Sequence, residues 1–130
     1  MNSVPKYWRK FGERYGLVGS KCSACGKVHY PKVLACPKCM SQVEDFKFSG
    51  SGKVFSFTVV RSGPCGFERY VPYIIAIIEF EEGAKCTGQI VDCSPDEISI
   101  GTKLETCFRK VSEDGDSGII HYGLKWKIKE

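Results

Sequence analysis

The fold class that the sequence predicts is mainly β, with one short helix at the N-terminus. Three observations predict it: a thirteen-residue amphipathic segment comes first, two closely spaced cysteine pairs follow, and five apolar segments separated by turn residues complete the chain. The 130 residues suffice for one ordinary domain or for two small domains that share an interface. We expect a helical segment at 1–18, a cysteine-rich ribbon at 19–50 and a barrel at 51–130.

The first segment, residues 5–17, has the pattern of an amphipathic helix. Ser3 is a suitable cap, and Pro5 suits the first turn because the N–H that it lacks has no helical partner there. Four aromatic rings are expected on one face, and basic side chains fill much of the remainder. The rings are those of Tyr7, Trp8, Phe11 and Tyr15, and the basic residues are Lys6, Arg9, Lys10 and Arg14. Such a face either packs on the chain's own core or binds a partner protein, because interface cores are enriched in aromatic residues and Arg.

Two Cys-x-x-Cys pairs, Cys22 with Cys25 and Cys36 with Cys39, are separated by ten residues. Each turn can direct two thiolates at one point, and two such turns joined by a short hairpin supply the four sulfurs that tetrahedral Zn2+ prefers. Because four thiolates complete the coordination shell, the predicted zinc is structural. Its binding free energy replaces the apolar burial that a ribbon of about twenty residues cannot provide.

Other interpretations of the cysteines are weaker. Disulfide-bonded or merely buried cysteines rarely repeat one spacing so closely, and a redox pair of thioredoxin type would lie near a βαβ pattern that the sequence lacks. Rubredoxin-type iron would use the same four thiolates. His29 lies between the pairs and could replace one thiolate, although the cysteines satisfy zinc without it. The remaining cysteines read as ordinary small apolar side chains: Cys65, Cys86, Cys93 and Cys107.

The rest of the chain divides into a ribbon, a linker and five strands. The ribbon is predicted over 17–48, and a flexible linker over 49–52. Five short antiparallel strands fit an OB-type barrel, which leaves no exposed sheet edge; an SH3-like barrel and an open meander are the alternatives. A helical turn at 94–97 is expected to begin the connection between the third and fourth strands. The predicted strands cover 53–61, 71–80, 83–92, 103–111 and 119–128, of which 71–80 is the most apolar.

Charge is distributed unevenly along the chain. Residues 1–53 carry ten Lys and Arg against three acidic residues, a balance of +7, whereas residues 54–130 carry nine against twelve, a balance of −3. A basic region of this kind attracts nucleic acid, the phosphates of a nucleotide cofactor or an acidic protein surface. The N-terminus has no apolar signal-peptide core, and no apolar run approaches the roughly 18 residues of a membrane span. We therefore expect a cytoplasmic protein with reduced thiols and no membrane segment.

An ordered set of motifs resembles a known family. The motifs are Leu17-Val-Gly-Ser-Lys-Cys-x-x-Cys-Gly26, Tyr30-Pro-Lys, Cys36-Pro-x-Cys39, Gly52-Lys-Val-Phe-Ser-Phe-Thr58, Tyr70-Val-Pro72, Gly101-Thr-Lys-Leu-Glu105 and Tyr122-Gly123. In this order they are similar to the acyl-CoA-associated zinc-ribbon and OB-fold proteins, long described as a domain of unknown function. The match covers almost the whole chain. One departure is Pro31-Lys32-Val33, where members commonly have Pro-Pro-Arg, so that Lys32 alone could replace that arginine at a phosphate.

The resemblance implies a scaffold rather than an enzyme. Archaeal members of the family accompany acetoacetyl-CoA thiolase and 3-hydroxy-3-methylglutaryl-CoA (HMG-CoA) synthase of the mevalonate route, and are understood to bridge them so that the CoA-bound intermediate passes between them. Other members accompany thiolases of other pathways, including steroid degradation. The compact chain looks like the archaeal type, which implies a hetero-oligomer with both enzymes. A contact with CoA is an extension of this hypothesis, because basic groups attract the phosphates of CoA and an apolar slot fits its pantetheine arm. The candidates for that contact are expected where the ribbon meets the barrel: Lys32, Arg61, Arg69 and Tyr73.

The residues themselves also favour binding over catalysis. The sequence contains no recognisable nucleophile motif or Gly-rich phosphate loop, and His29 and His121 lie on predicted strands without partners nearby in sequence. A single-stranded nucleic-acid-binding module is the alternative, because zinc ribbons and OB barrels both occur in such proteins. The predicted barrel is net acidic, however, whereas a groove that follows phosphates should be basic. A hydratase-like role on acyl-CoA has no residue in the sequence to support it.

Overall fold

The computed structural model describes residues 3–130. In this range two short helices, α1 (Val4–Arg9) and α2 (Phe11–Gly16), precede eight strands. The first three strands form a sheet in the order β2-β1-β3, and the last five close into a barrel in the order β4-β5-β6-β8-β7. The predicted mainly β class and five-stranded barrel are confirmed. The strands are β1 (Val18–Cys22), β2 (Val28–His29), β3 (Val43–Lys47), β4 (Ser51–Val60), β5 (Tyr73–Phe80), β6 (Lys85–Ile90), β7 (Lys103–Glu113) and β8 (Ile120–Ile128).

The single helix predicted over residues 5–17 is interrupted at Lys10. The φ of −99° and ψ of 6° at this residue depart from helical values, so that Lys10 ends α1 and precedes α2. Leu17 ends α2 in the left-handed conformation, with φ of 51°. Ser3 occupies the cap position of α1, but its side chain makes no capping hydrogen bond. The two helices have six residues each, and among residues 3–130 no helix is long and apolar enough to cross a bilayer.

The ribbon sheet depends on a glycine in its central strand. β1 pairs antiparallel with both β2 and β3. A Cβ at Gly19 would lie 2.3 Å from the carbonyl oxygen of His29 and 2.6 Å from a ring carbon of Phe48. β1 can therefore lie between the backbone of β2 and the ring of Phe48 only because residue 19 has no side chain.

The barrel is built from an antiparallel meander and a long hairpin. β5 pairs antiparallel with β4 and β6, and β7 pairs antiparallel with β8. The barrel closes where Ile90 of β6 pairs parallel with Trp126 of β8, and where β4 pairs with the start of β7. A 3-10 helix at Pro95–Glu97 lies in the connection between β6 and β7, as predicted. The circular order of the strands places β5 on the side of the barrel away from the β7–β8 hairpin.

One hydrophobic core joins the ribbon to the end of the barrel. Buried side chains alternate along β5 and meet Val54, Leu104 and Trp126 from the other strands. Phe48, which follows β3, stacks on Phe80 with ring centroids 4.6 Å apart, and the Tyr30 ring packs edge-on against both. These aromatic contacts fix the ribbon on the barrel.

Residues 49–52 form a packed corner instead of the flexible linker that their composition predicts. The carbonyl of Gly50 accepts a hydrogen bond from the N–H of Thr106 at 2.9 Å, and the carbonyl of Ser51 accepts one from the N–H of Glu81 at 3.3 Å. A Cβ at Gly50 would lie 2.6 Å from the Thr106 hydroxyl, and the residue has φ of 83°. The glycines of this segment let it approach β7 and β5 closely. Its composition resembles that of a flexible linker, but the segment is ordered.

Candidate metal centre and binding surfaces

The four cysteines of the two Cys-x-x-Cys turns meet at one end of the ribbon. Their Sγ atoms all lie within 4.8 Å of one another; Cys22 and Cys39 are 3.5 Å apart, and Cys25 and Cys36 are 3.7 Å apart. Zn–S bonds of about 2.3 Å in a tetrahedron separate the sulfurs by about 3.8 Å. The observed distances therefore fit one zinc ion held by four thiolates.

Equivalent backbone hydrogen bonds shape the two turns. The N–H of Gly26 donates to the carbonyl of Cys22 at 3.1 Å, and the N–H of Met40 donates to the carbonyl of Cys36 at 2.8 Å. Gly26 and Met40 each follow the second cysteine of a pair, and both have positive φ, 69° and 57°. Gly26 adopts this left-handed conformation readily because it has no Cβ, whereas Met40 is held in it by the hydrogen bond.

The two cysteines of each pair differ in burial. Cys22 and Cys36 are at most 1% exposed, whereas Cys25 and Cys39 are exposed. The metal would therefore lie at the boundary between the ribbon interior and the surface, and cysteine sulfurs would occupy all four positions of its coordination shell.

Hydrogen bonds favour the thiolate form in the second pair. The side chain and then the backbone of Ser41 lower the pKa of Cys39 to about 6, and backbone N–H groups of the turn, that of Cys39 first, lower the pKa of Cys36. At Cys25 a backbone hydrogen bond from Lys27 lowers the pKa, but hydrogen bonds with the neighbouring thiols, that of Cys22 first, and partial desolvation of the sulfur outweigh it and raise the pKa to about 11. Because thiolates are the ligands, zinc binding must release the proton held at Cys25.

His29 lies beside the cluster. Its Nε2 is 3.6 Å from the Sγ of Cys36, a distance at which a ring N–H can donate a hydrogen bond to sulfur. The group whose ligand atoms converge consists of the four cysteines without His29. We therefore assign His29 to the surroundings of the metal, where it can orient Cys36.

The other four cysteines are free thiols, as predicted. Cys65 is exposed, and the remaining three are partly buried. Burial raises the pKa of Cys86 to about 12, so this thiol stays protonated and unreactive near neutral pH.

Three of the four aromatic rings of the helical segment pack on the chain itself. Tyr7, Phe11 and Tyr15 contact one another, with ring centroids 4.6 to 6.3 Å apart. The hydroxyl of Tyr7 donates to the carbonyl of Tyr122 at 2.6 Å, and the Tyr15 ring packs edge-on against Phe108 at 5.1 Å. These rings therefore hold the helices on the β7–β8 hairpin. Packing on the chain itself is one of the two roles expected for them.

Trp8 does not share this face, so the prediction of four rings on one face is wrong. Its side chain is 69% exposed, and Val4 in the same helix is 60% exposed. Tyr7, Phe11 and Tyr15 follow one another at intervals of four residues, whereas Trp8 is one residue further around the helix. Trp8 is left on the surface beside Arg9.

A buried histidine supports the hairpin under the helices. His121 is 7% exposed, its Nε2 lies 2.9 Å from the Oδ2 of Asp114, and its ring contacts that of Tyr7 at 4.6 Å. This pair could not be predicted from sequence, because Asp114 lies in the hairpin turn and approaches His121 only when the strands are paired.

The four candidate CoA contacts do not meet, so the expectation that they lie together where the ribbon meets the barrel is wrong. Lys32 lies on the ribbon and forms an ion pair with Asp45 of β3. Arg61, Arg69 and Tyr73 lie between the end of β4 and the start of β5, at the other end of the barrel. The ten residues of β4, at about 3.3 Å each, separate the two ends by about 30 Å.

Two adjoining cavities border Tyr73 at that far end. One, of about 390 Å³, is lined by the cationic side chains of Lys125 and Arg109 and by the carboxylate of Asp92. The other, of about 370 Å³, is lined by Pro64, Phe67 and Ile75 and is mainly apolar. Burial lowers the pKa of Lys125, whereas Arg109 forms an ion pair with Asp92 at 2.6 Å. The residues that line the charged cavity could not be grouped from sequence, because they come from four separate segments of the chain.

Two family models match the chain. One is described as the rubredoxin-like zinc ribbon domain of ChsH2 and matches residues 9–44; the other is described as the C-terminal OB-fold domain of ChsH2 and matches residues 47–109. A DUF35 domain-containing scaffold protein of Methanocaldococcus jannaschii is 50% identical over 126 residues, which cover 95% of this chain and 89% of the relative.

More distant relatives carry the names of enzyme subunits. A probable enoyl-CoA hydratase alpha subunit of Thermomonospora curvata is 32% identical over 103 residues, 78% of this chain and 32% of the relative. The benzoylsuccinyl-CoA thiolase subunit BbsA of Thauera aromatica is 27% identical over 101 residues, 77% of this chain and 68% of the relative. Among solved structures, a chain of the Ltp2-ChsH2(DUF35) aldolase superimposes with a TM-score of 0.73 at 25% identity, covering 98% of this chain and 96% of that one.

Proposed function

The chain belongs to the ChsH2/DUF35 family of zinc-ribbon and OB-fold proteins, and on that premise we propose that it is a non-catalytic scaffold for enzymes that act on CoA esters. The observation that carries the proposal is a large exposed ring, Trp8, on a segment that three other rings fix to the barrel. A relative that is 50% identical over nearly the whole chain has the name of a scaffold protein, which supports the same function.

The metal centre supports a structural role. Cys22, Cys25, Cys36 and Cys39 would hold the zinc, and a shell of four thiolates leaves no position for water or substrate. When bound, the ion supplies folding free energy and no chemistry on a substrate. Its place in the function is to hold the ribbon in shape.

The surface around Trp8 has the composition of a protein interface. Lys6 and Arg9 form no ion pair among residues 3–130, and Arg14 lies over the Tyr7 ring at 4.6 Å. A Trp bordered by Arg is the combination most often found to dominate binding energy. We assign Trp8 as the anchor, with Arg9 and Arg14 at the polar border. Tyr7, Phe11 and Tyr15 support it from below.

For the partners we propose acetoacetyl-CoA thiolase and HMG-CoA synthase of the mevalonate pathway, joined with this chain in a cytoplasmic hetero-oligomer. The choice of this pair follows from the motif resemblance to archaeal members of the family. The thiolase subunit name of the Thauera aromatica relative and the aldolase complex in the structural comparison support enzyme partners of this general kind.

A contact with CoA is a secondary proposal, at the barrel end where β5 begins. There the cavity beside Lys125 suits a phosphate, and Tyr73 lines it. Arg61 and Arg69 lie on the loop that precedes β5 and can extend this contact. Lys32 is excluded from the site because it lies on the ribbon at the opposite end of the barrel.

Calorimetric titration of the chain with each purified enzyme tests the scaffold function. We expect Trp8→Ala to weaken binding of one enzyme at least about tenfold, or about 1.4 kcal/mol, because the ring would be buried on binding. Since Trp8 is 69% exposed in the free chain, its removal should change the free energy of unfolding by less than about 0.5 kcal/mol.

Leu34→Ala is the matched control, because Leu34 is 97% exposed on the ribbon and lies outside this surface. It should leave both affinities unchanged. Unaltered binding by Trp8→Ala, or a loss of fold stability in that variant, would contradict the assignment of Trp8 as a partner anchor.

A further inference from the structure

The barrel carries a second apolar surface, on the side away from the helices. Along β5 the even-numbered residues from Ile74 to Phe80 are buried, whereas Tyr73, Ile75 and Ile77 point outward. Ile77 is 41% exposed. Because one side of β5 already fills the barrel core, the outward isoleucines have no role in that core.

Neighbouring elements extend this surface. The pairing of β4 with β5 is irregular between Val54 and Ser56, and Phe55 at this irregularity is 47% exposed. Lys85 of β6 lies over the Phe55 ring at 3.4 Å, so the ring lies on the outer side of β5. The groove of about 370 Å³ beside Ile75 continues the apolar surface to the loop before β5. We call this surface the β5 face; it consists of Phe55, Pro64, Phe67, Tyr73, Ile75 and Ile77.

Lys85 lies on the β5 face over Phe55, and Arg61 and Arg69 belong to the β4–β5 connection that supplies Pro64 and Phe67. Lys85, Arg61 and Arg69 form no ion pair among the residues that the structure describes. Among the nearby acidic groups, Glu79 pairs with Lys53 at 3.2 Å, whereas Glu68, which accepts the N–H of Gly66 at 2.8 Å, keeps its charge and offsets one of the three cations. The border of the face is therefore positive, although the barrel as a whole is net acidic.

We propose that the β5 face binds a protein surface with an apolar centre and an acidic border, the second of the two partners that a scaffold must bind. This inference rests on the proposed function. A second copy of the chain does not fit, because symmetric pairing of two β5 faces would bring the same cations together. An acidic border on a different protein would neutralise them.

The same face is poorly suited to single-stranded nucleic acid. Its centre consists of the branched side chains Ile75 and Ile77, on which bases cannot stack. The Phe55 ring is covered by the ammonium group of Lys85, and the Phe67 ring lies against Tyr73, with centroids 6.0 Å apart. The positive border therefore surrounds a surface made for apolar contact.

The two surfaces can be occupied at once. Trp8 stands on helices held by the β7–β8 hairpin, and the circular strand order places β5 on the other side of the barrel. One partner on each side would not overlap. The barrel therefore separates two enzymes by about its own width and fixes their relative orientation.

Binding of the thiolase and of the synthase to full-length, zinc-loaded variants tests the assignment. Ile77→Glu places a carboxylate at the centre of the face, where an acidic partner would repel it; we expect at least a tenfold loss of affinity for one enzyme and unchanged affinity for the other. Trp8→Ala should show the reverse selectivity. Ile100→Glu is the matched control, because Ile100 is 72% exposed in the loop before β7, and it should bind both enzymes like wild type.

Equal zinc content and β-sheet circular dichroism in all variants establish that the fold is intact. If wild type binds both enzymes and Ile77→Glu loses neither or both, the β5 face is not the second site, while the scaffold function stands. Binding of oligo(dT) by wild type that Ile77→Glu abolishes would also overturn the assignment. If wild type binds neither enzyme, the proposed function itself fails, and the partner proposed for this face fails with it.

Discussion

At the metal centre, single residues determine whether the ribbon keeps its shape. Cys22 and Cys36 are buried at the base of the two turns, and their thiolates have no water to solvate them if the metal is absent. Structural zinc sites contribute apparent binding free energies of about 10–16 kcal/mol, which exceeds what a short ribbon gains from apolar burial. The fold of residues 17–48 therefore depends on all four sulfurs.

Cys22→Ser should release the zinc and unfold residues 17–48, while the β signal of the barrel persists. Metal content and circular dichroism measure the two effects. Cys65→Ser is the control, since Cys65 is an exposed free thiol outside the cluster, and it should retain one zinc per chain. One full equivalent of zinc in Cys22→Ser would disprove the four-cysteine assignment.

Tyr30 links the ribbon, the helices and the barrel, and its titration should affect stability. Its hydroxyl donates to the carbonyl of Glu13 at 3.0 Å, and burial raises the pKa of the phenol to about 12. Since the pKa is raised in the folded state, the stabilisation is complete below the unfolded value near 10 and is lost as the pH rises from about 10 to about 12.

Tyr30→Phe should be less stable than wild type by about 1 kcal/mol at pH 8, because the hydrogen bond is lost. The difference should shrink between about pH 10 and 12, where only wild type loses the contribution of the buried phenol. Urea unfolding at several pH values measures it. A constant difference across this range, or a phenol that titrates near 10 in the folded chain, would show that Tyr30 is not held as described.

At the scale of the elements, Gly19 and Gly12 differ in whether there is space for a side chain. Gly19 has the His29 carbonyl oxygen within 2.3 Å of the Cβ position, whereas the nearest atom to a Cβ at Gly12 is 3.8 Å away. We expect Gly19→Ala to destabilise the zinc-loaded protein by about 1–3 kcal/mol through separation of β1 from β2. Gly12→Ala should stabilise it by up to about 1 kcal/mol through helix propensity.

Denaturant unfolding of both variants checks the pair. Equal effects at the two positions would mean that β1 and β2 can shift apart without cost, contrary to the close packing of the ribbon sheet.

The elements that depend on local pattern could be predicted from the sequence. Strand β5 and the Cys-x-x-Cys turns are encoded by neighbouring residues, and the helical turn at Pro95–Glu97 follows from its Ser-Pro start. The break at Lys10 could not be predicted, because the aromatic residues continue across it at helical intervals of four. The parallel pairing of Ile90 with Trp126 joins residues distant in sequence and leaves no local pattern.

At the scale of the whole molecule, the prediction of sites was only partly successful. The cysteine cluster was found because its spacing is itself the signal. The grouping of Lys32 with Arg61 and Arg69 failed because the sequence does not tell which end of a barrel a loop occupies. The exposure of Trp8 could not be predicted from sequence either. The β7–β8 hairpin covers Tyr7 and Tyr15 but leaves Trp8 on the surface, and its position is known only from the structure.

In the whole molecule, the two proposed binding surfaces lie on opposite sides of a closed barrel. The ribbon is fixed to the end of the barrel by the contact of Phe48 with Phe80, and the helices are fixed to its side by Tyr7 and Tyr15. Under the proposed scaffold function, such a molecule would set the distance and orientation of two bound enzymes.

Sedimentation velocity of acetoacetyl-CoA thiolase and HMG-CoA synthase, mixed with and without this chain, tests the scaffold claim most directly. We expect one fast boundary that contains all three proteins when the chain is present, and two separate enzyme boundaries when it is absent. Separate sedimentation of the enzymes in the presence of the chain, or equal association without it, would contradict the claim.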